Sequence, residues 1–458
     1  MSSFEKLGAQ DREVYEAIIN ELKRQREGLE MIPSENFTSQ AVLEAMGSIL
    51  TNKYSEGYPA HRYYGGNQFI DVVEKAAQDR AKALFKVPHV NVQPYSGSPA
   101  NLAIYMAVCK PGDTIMGQNL PDGGHLTHGF KTSLTGQIFN SVPYHVKADG
   151  YLDVEEAARL AKEHKPKLIW IGATAYTRPL PFKEFAEIAE ECGAYLAADI
   201  SHISGLIAAG AHESPVDYVD IVMTTTHKTL RGPRGAMIMV TEKGLKKDPD
   251  LASKIDKTIF PGMQGGPHNH ITAGIAIALA EASTPEFREY GRQIVTNARS
   301  LGESLKRRNV KLVTGGTDNH MLLIDLIPFG NGLGVFVQDA LDQANITVNK
   351  NTIPKDPAPP FYPSGIRLGT PALTTRGMKE AEMDEIGGLI ADVIEETMRV
   401  LPSKQLPEDK ETRQAMIRAF KEQLPANQKL AEVRQKVIKL CERFPLYPGM
   451  AEEPTGKP

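Results

Sequence analysis

Between residues 167 and 241 the sequence alternates short β-prone apolar runs with helical and polar stretches, and this alternation narrows the possible folds more than any other feature. Residues 167–173 read as a strand, 182–192 as a helix and 194–200 as a buried strand, with further strands at 218–224 and 235–241. Strands linked in this way form a largely parallel sheet with helices on its faces. Ligands of such sheets sit beyond the carboxyl ends of the strands. The polar residues of this region cluster at those ends.

The chain has 458 residues, enough for two or three domains around substantial cores. A formal net charge of −4, with acids and bases mixed throughout, lacks the local Lys and Arg excess of a nucleic-acid surface. Cys109, Cys192 and Cys441 are far apart and form neither a metal-ligand spacing nor a disulfide framework. They read as buried apolar thiols, which fits a reducing cytoplasm. The first residues include Glu5, Lys6, Asp11, Arg12 and Glu13, so no apolar signal core is expected there. The apolar run from Ile271 to Ala280 is too short for a bilayer span, and a cytoplasmic protein without membrane contact is expected.

Val14, Ile18 and Leu22 fall at helical spacing and predict an opening amphipathic helix. A helix follows Pro267 and runs to Ala282, and the charged, periodic stretch 285–308 marks a change of domain. Two amphipathic helices are predicted further on, one carrying Met383, Ile386, Ile390, Val393 and Ile394, the other Leu430, Val433, Val437, Leu440 and Phe444. The stretch from Met450 to Pro458 reads as frayed. The expected division is a helical arm at 1–50, a large domain at 51–285 and a small domain at 286–458.

The segment Thr224-Thr225-Thr226-His227-Lys228-Thr229-Leu230-Arg231-Gly232-Pro233-Arg234-Gly235 places a lysine at a strand end among hydroxyls, a histidine and glycines. A solvated surface lysine is the plain alternative. About thirty residues earlier, Asp199 closes the apolar run Tyr195-Leu196-Ala197-Ala198. A carboxylate there needs a partner. A pyridinium N–H would supply one, and the pair would keep that ring an electron sink. A helix cap or a salt bridge is the ordinary reading of Asp199 alone. Ser96-Gly97-Ser98-Pro99-Ala100-Asn101 leads into a helical run and offers backbone donors to a phosphate; Gly265-Gly266, before the Ala-rich helix, is a second candidate. The stretch 54–66 holds four tyrosines in thirteen residues, an uncommon density for a mere connector.

These residues belong to a wider set. Ile32-Pro33-Ser34-Glu35-Asn36, Tyr54-Ser55-Glu56-Gly57-Tyr58-Pro59, Arg62-Tyr63-Tyr64-Gly65-Gly66 and Asn91-Val92-Gln93-Pro94-Tyr95-Ser96-Gly97-Ser98 come first. Asp122-Gly123-Gly124-His125-Leu126-Thr127-His128-Gly129, the Asp199/His202 pair, the Thr-Thr-Thr-His-Lys run and Ser364-Gly365-Ile366-Arg367-Leu368-Gly369-Thr370-Pro371 follow in order. With these eight motifs the chain resembles the serine hydroxymethyltransferases along nearly its whole length.

The resemblance implies the fold-type I architecture of pyridoxal-phosphate transferases: a large α/β domain with a mostly parallel seven-stranded sheet flanked by helices, plus a smaller α+β C-terminal domain. It implies pyridoxal 5′-phosphate held covalently on Lys228 as a Schiff base, tetrahydrofolate as co-substrate, and no metal. The reaction implied is the reversible conversion of L-serine and tetrahydrofolate to glycine and 5,10-methylenetetrahydrofolate.

By the same resemblance Asp199 pairs with the pyridine nitrogen, His125 stacks on the ring, His202 bonds the pyridoxal O3′, and His227 sits beside the lysine. Ser96, Gly97, Ser98, Thr174 and Thr225 join the cofactor contacts. Ser34 and Arg367 hold the substrate, the arginine as a planar clamp on its carboxylate. Leu120, Gly124, His125, Leu126 and Asn351 fall at folate contacts. The family is a homodimer with shared sites, so Tyr54, Glu56, Tyr64, Gly265 and Gly266 reach the partner's cofactor, Glu56 as the proton-handling carboxylate with Tyr64 close by. Whether dimers pair into a tetramer stays open.

The chain departs from the family pattern at Ala60-His61, at Phe37, at Thr174 in place of serine, and at Pro359-Pro360-Phe361. None of these removes a group the chemistry needs. A folate-independent aldolase of the threonine type would share the same cofactor half of the site; a non-catalytic regulatory relative would lack Lys228, Asp199 or Arg367.

Overall fold

The computed structural model describes residues 4–450, so residues 451–458 of the stretch read as frayed lie outside the described part. Helix α1 (Arg12–Glu27) starts at Asp11, whose side chain accepts the Val14 N–H. Its apolar stripe is only partly covered: Leu22 is buried, but Val14 and Ile18 are 46% and 36% exposed. Helix α2 (Gln68–Phe85) follows the tyrosine-rich loop, and helix α3 (Gly97–Val108) begins at the glycine turn.

Seven strands form the large sheet: β1 (His89–Asn91), β2 (Thr114–Gln118), β3 (Asn140–Tyr144), β4 (Leu168–Ile171), β5 (Tyr195–Asp199), β6 (Ile221–Thr225) and β7 (Ala236–Val240). Their spatial order is β1-β7-β6-β5-β4-β2-β3. All neighbours run parallel except β7, which is antiparallel to both β6 and β1. The central strands β4 to β7 are buried almost throughout because both faces are covered there. Ile169, Ile171, Leu196, Ala198, Val222, Met237 and Met239 pack into one core; Leu168, Trp170, Ala197, Ile221, Met223, Ala236 and Ile238 pack into the other. Helix α4 (Phe182–Cys192) covers the first face, with Phe182 and Phe185 buried, and closes β4 to β5 as a parallel crossover.

Helix α5 (Asn269–Ala282) is apolar on almost every side and packs between α2 and the sheet. Helix α6 (Pro285–Arg307) is capped by Thr284. Its first half, with Phe287, Ile294 and Val295, enters the core of the large sheet; its second half, with Leu301 and Leu305, enters a separate C-terminal core. The charged, periodic stretch 285–308 is thus one continuous helix that contributes side chains to both cores.

The C-terminal core surrounds a four-stranded antiparallel sheet of β8 (Lys311–Leu312), β9 (Met321–Asp325), β10 (Asn349–Asn351) and β11 (Gly365–Gly369), in the order β8-β9-β11-β10. Helices α7 (Gly334–Gln343), α8 (Glu380–Val400), α9 (Lys410–Gln423) and α10 (Gln428–Glu442) pack around it. The two predicted stripes, Met383 to Ile394 and Leu430 to Leu440, are buried in this core. Leu29 and Met31 join it from the N-terminal arm, where residues 29–30 pair in parallel with 346–347. No helix among the described residues is long and apolar enough to cross a membrane.

Candidate active site

The carboxyl ends of β2, β4, β5 and β6 and the amino end of α3 meet at one cavity of about 560 Å³, in the size range of small-molecule sites. Ser34, Ser96, Gly97, Ser98, Leu120, Gly124, His125, Leu126, Thr174, Asp199, His202, Thr225, His227, Lys228, Asn351 and Arg367 all line it. These residues come from both sheets and from the N-terminal arm.

Lys228 follows β6 in a loop closed by Thr226. The Thr226 N–H donates to the Gly235 carbonyl at 3.1 Å, its hydroxyl donates to the Pro233 carbonyl at 2.6 Å, and its carbonyl accepts the Gly232 N–H at 2.7 Å. The Lys228 carbonyl accepts from Arg231 N and from Asn36 Nδ2 at 3.1 and 3.0 Å. The side chain is buried, and burial pulls its ammonium down to about 8; Asp199 opposes this, while Arg367 and Arg234 add to it.

An amine with that pKa is already partly neutral, and only the neutral form attacks an aldehyde. Capture of pyridoxal phosphate by the cofactor-free protein should therefore speed up about tenfold per pH unit below pH 8 and level off above it. Stopped-flow absorbance measures this directly. A rate that keeps climbing to pH 10 would mean that Lys228 titrates like an exposed lysine.

Asp199 ends β5 and is buried. Ser201 N–H donates to its Oδ1 at 3.1 Å, while Asn101 Nδ2 and His128 Nε2 reach its Oδ2 at 3.2 and 3.1 Å. Burial alone pushes the carboxyl up, but the His128 hydrogen bond and the electrostatic influence of His128, His125 and Lys228 outweigh it and hold the group far below the carboxylate range. Asp199 is therefore an anion throughout the neutral pH range.

His128 and Asn101 are functional neighbours that no separate reading of the sequence assigned to Asp199. His128 is buried, stacks on Trp170 with ring centroids 5.0 Å apart, and its Nδ1 has no hydrogen-bond partner among the described residues. The proton consequently belongs on Nε2, where it faces the carboxylate. The signal was present in the Asp122–Gly129 motif, but 71 residues separate His128 from Asp199.

His125, His128 and Asp199 place ligand-type atoms within 4.8 Å of one another. The His128–Asp199 bond and the 2.7 Å contact of His125 Nδ1 with Thr127 Oγ1 account for this grouping as a hydrogen-bond set. Burial, followed by nearby cationic and imidazole groups, draws His125 down to about 4 and His227 to about 3, and lowers His202 strongly. The imidazoles around Lys228 are therefore neutral at pH 7 and repel neither the amine nor an incoming cationic ring.

Arg367 projects from β11, where its Nε donates to Asn349 Oδ1 at 3.0 Å and its Nη1 to the Thr174 carbonyl. Burial lowers its guanidinium to about 10, which leaves it charged at neutral pH. The Thr174 hydroxyl donates to the carbonyls of Gly123 and Gly124 at 3.1 and 2.8 Å and so shapes the turn beside Leu120.

The cavity fits pyridoxal phosphate by its own chemistry. At the phosphate end, α3 opens with Ser96 at its cap position, and the Ser96 side chain makes no capping bond. Thr225 Oγ1 is buried beside it with no partner among the described residues. A Cβ at position 97 would lie 2.8 Å from Thr225 Cγ2, so glycine there keeps the cradle open. The same cavity is lined by the ionised Asp199, by His227 with its unpartnered Nδ1, and by Lys228. An anion at the helix N-terminus and a protonated ring nitrogen at the carboxylate complement this arrangement.

Tyr54, Glu56, Tyr64, Gly265 and Gly266 do not line the cavity. They form a second cluster. Tyr54 and Tyr64 meet edge to face at 5.5 Å, and a Cβ at position 265 would lie 3.3 Å from Glu56 Oε1. Buried Arg62 organises the loop through Glu74 at 2.6 Å, Asp71 at 2.9 Å and the carbonyls of Ser55 and Gly57. The cluster is nevertheless open: Tyr54, Tyr63, Tyr64 and Phe69 are 57%, 71%, 51% and 73% exposed.

A model of the family described as serine hydroxymethyltransferase matches residues 7–390. A serine hydroxymethyltransferase of Acidothermus cellulolyticus is 57% identical over 388 residues, 84% of this chain and 89% of the relative. One of Sorangium cellulosum is 56% identical over 384 residues, with the same shares covered. The order of motifs, the seven-stranded sheet and the lysine–aspartate cavity agree with these matches, and the chain belongs to the serine hydroxymethyltransferase family.

Proposed function

We propose a division of labour among this chain's residues for the serine hydroxymethyltransferase reaction, with pyridoxal phosphate as cofactor and tetrahydrofolate as co-substrate. The observation that carries the reading is the joint burial of Lys228 and Asp199 in one cavity beside a helix N-terminus. What pyridoxal phosphate supplies when bound is an electron sink for the charge left on Cα as the Cα–Cβ bond of serine breaks.

Lys228 holds the cofactor, and its lowered pKa keeps the amine reactive near neutral pH. Asp199, fixed by His128, Asn101 and Ser201, keeps a proton on the ring nitrogen. Ser96, Gly97, Ser98 and Thr225 receive the phosphate, and neutral His125, His202 and His227 line the space around the ring. Arg367 and Ser34 take the substrate carboxylate and orient the bond to be broken. Leu120, Gly124, Leu126 and Asn351, at the mouth, face tetrahydrofolate. In this arrangement residues 51–285 bind the cofactor, residues 286–458 close over the substrate, and the arm 1–50 contributes Ser34. A cytoplasmic location suits these reactants.

The site is completed in a homodimer. Tyr54, Glu56, Tyr64, Gly265 and Gly266 sit apart from the cavity of their own chain, on a surface rich in exposed aromatics of the kind that marks an interface. From there Glu56 reaches the partner's substrate and moves the proton of the serine hydroxyl, with Tyr64 beside it.

Complementation tests this. Lys228→Ala and Glu56→Gln protomers are each expected to be inactive as homodimers. Random mixing makes half the dimers mixed, each with one intact site, so about a quarter of wild-type activity should return. A mixture that stays inactive would place Glu56 in its own chain's site. In the wild-type protein, serine-to-glycine conversion should depend on added tetrahydrofolate; equal rates without it would favour aldol cleavage alone.

A further inference from the structure

Beyond the stretch that the family model matches, residues 7–390, the chain continues into α9 and α10. Helix α9 is anchored by Phe420, whose ring meets Phe336 of α7 edge to face at 5.1 Å, and by Lys421 at 3.3 Å from Asp339. Its amino-terminal end has a different role.

The Arg413 guanidinium lies 4.8 Å above the Tyr362 ring, while its Nη1 donates to the Pro407 and Glu408 carbonyls at 3.0 and 2.9 Å. One side chain therefore grips both the incoming segment 404–409 and the loop that carries Tyr362. The segment is pressed against a second loop: Gly332 has φ +74°, and a Cβ there would fall 3.0 Å from Leu406 Cδ2 and 3.2 Å from the Tyr362 carbonyl. Gly332 N–H in turn donates to Ser364 Oγ at 2.9 Å, and Ser364 donates through N and Oγ to Asp356 at 2.8 and 2.7 Å.

The loop held in this way, residues 352–364, joins two cavity-lining residues on paired strands, Asn351 of β10 and Arg367 of β11. Near its start, the Thr352 hydroxyl donates to the Pro121 carbonyl at 2.6 Å, in the turn that presents Leu120.

We infer that α9 is a brace for the mouth of the active site: Arg413 and Tyr362 are positioning residues that hold the 352–364 loop in place for tetrahydrofolate. The inference rests on the reading of Leu120 and Asn351 as the folate side.

The test uses the holoenzyme with Arg413→Ala, Tyr362→Leu and Tyr362→Phe. Arg413→Ala and Tyr362→Leu should raise KM for tetrahydrofolate about three- to tenfold, the scale of one lost cation–aromatic contact. The kcat, KM for serine and folate-independent cleavage of a threonine-type β-hydroxy amino acid should stay within about twofold. Tyr362→Phe keeps the ring and should behave as wild type. Hydrogen exchange over 353–364, measured without folate, should accelerate in the first two variants only. Unchanged exchange and unchanged KM in both would overturn the brace. Asn351→Ala is the control for the underlying reading: it should raise KM for tetrahydrofolate by itself. No change there would remove the folate assignment, and the brace's role toward folate with it. A rise with Asn351→Ala but none with Arg413→Ala would leave the folate side standing and refute the brace.

Discussion

Lys228→Ala is expected to reduce serine-to-glycine turnover by on the order of 10⁴-fold or more, the scale of losing a catalytic nucleophile. On the proposed assignment, the variant loses the amine that would hold the cofactor covalently. Ser96, Gly97, Ser98 and Thr225, the proposed phosphate cradle, and the carboxylate of Asp199 remain in the cavity. Pyridoxal phosphate should therefore still bind, without the visible absorbance of a lysine-bound cofactor. Folding should survive, because the side chain is a desolvated ammonium whose charged form burial disfavours. Its melting temperature should lie within about 4 °C of wild type. A variant that folds, binds cofactor and retains a hundredth of wild-type turnover would refute the assignment.

Asp199→Asn comes second, with kcat/KM for serine expected to fall on the order of 10³-fold. The carboxamide has nearly the same shape but no charge to keep the ring nitrogen protonated, so the electron sink weakens. It also replaces an acceptor by a donor among three donors: Ser201 N, Asn101 Nδ2 and His128 Nε2. One of these must lose its bond, at a stability cost of about 1–3 kcal/mol. Kinetics and melting should therefore both move. Folate-dependent and folate-independent cleavage should fall together, because both require the sink. A variant that lost only the folate-dependent reaction would show that Asp199 serves something other than the ring.

Much of the fold was legible because both faces of the large sheet are covered. Runs such as Leu168–Ile171 and Ile221–Thr225 have no polar face to confuse with a helix, and helix 182–192 appears at its predicted bounds. The exposed side of α1 was harder. Val14 and Ile18 sit at core-like spacing yet remain open to solvent, since periodicity reports which residues share a face and not whether anything covers it. The stretch 285–308 read as charged and periodic, but that patterning could not show that α6 runs unbroken through both cores.

The sequence by itself determined the chemistry on offer: a lysine and an aspartate at the ends of apolar strands, a glycine turn before a helix, and an arginine in the 364–371 motif. Strand alternation, backbone donors and side-chain type are local properties, so they survive reading in one dimension. Tertiary structure alone decided which groups act on which. His128 and Asn101 reach Asp199 across 71 and 98 residues, and Arg413 meets Tyr362 only because α9 folds back over α7. It also parted the cavity from the Glu56 cluster. Burial then set the charge states, pulling Lys228 toward neutrality while its hydrogen-bonded partners kept Asp199 ionised. Desolvation and Coulomb energies depend on distance through space, which sequence separation does not encode.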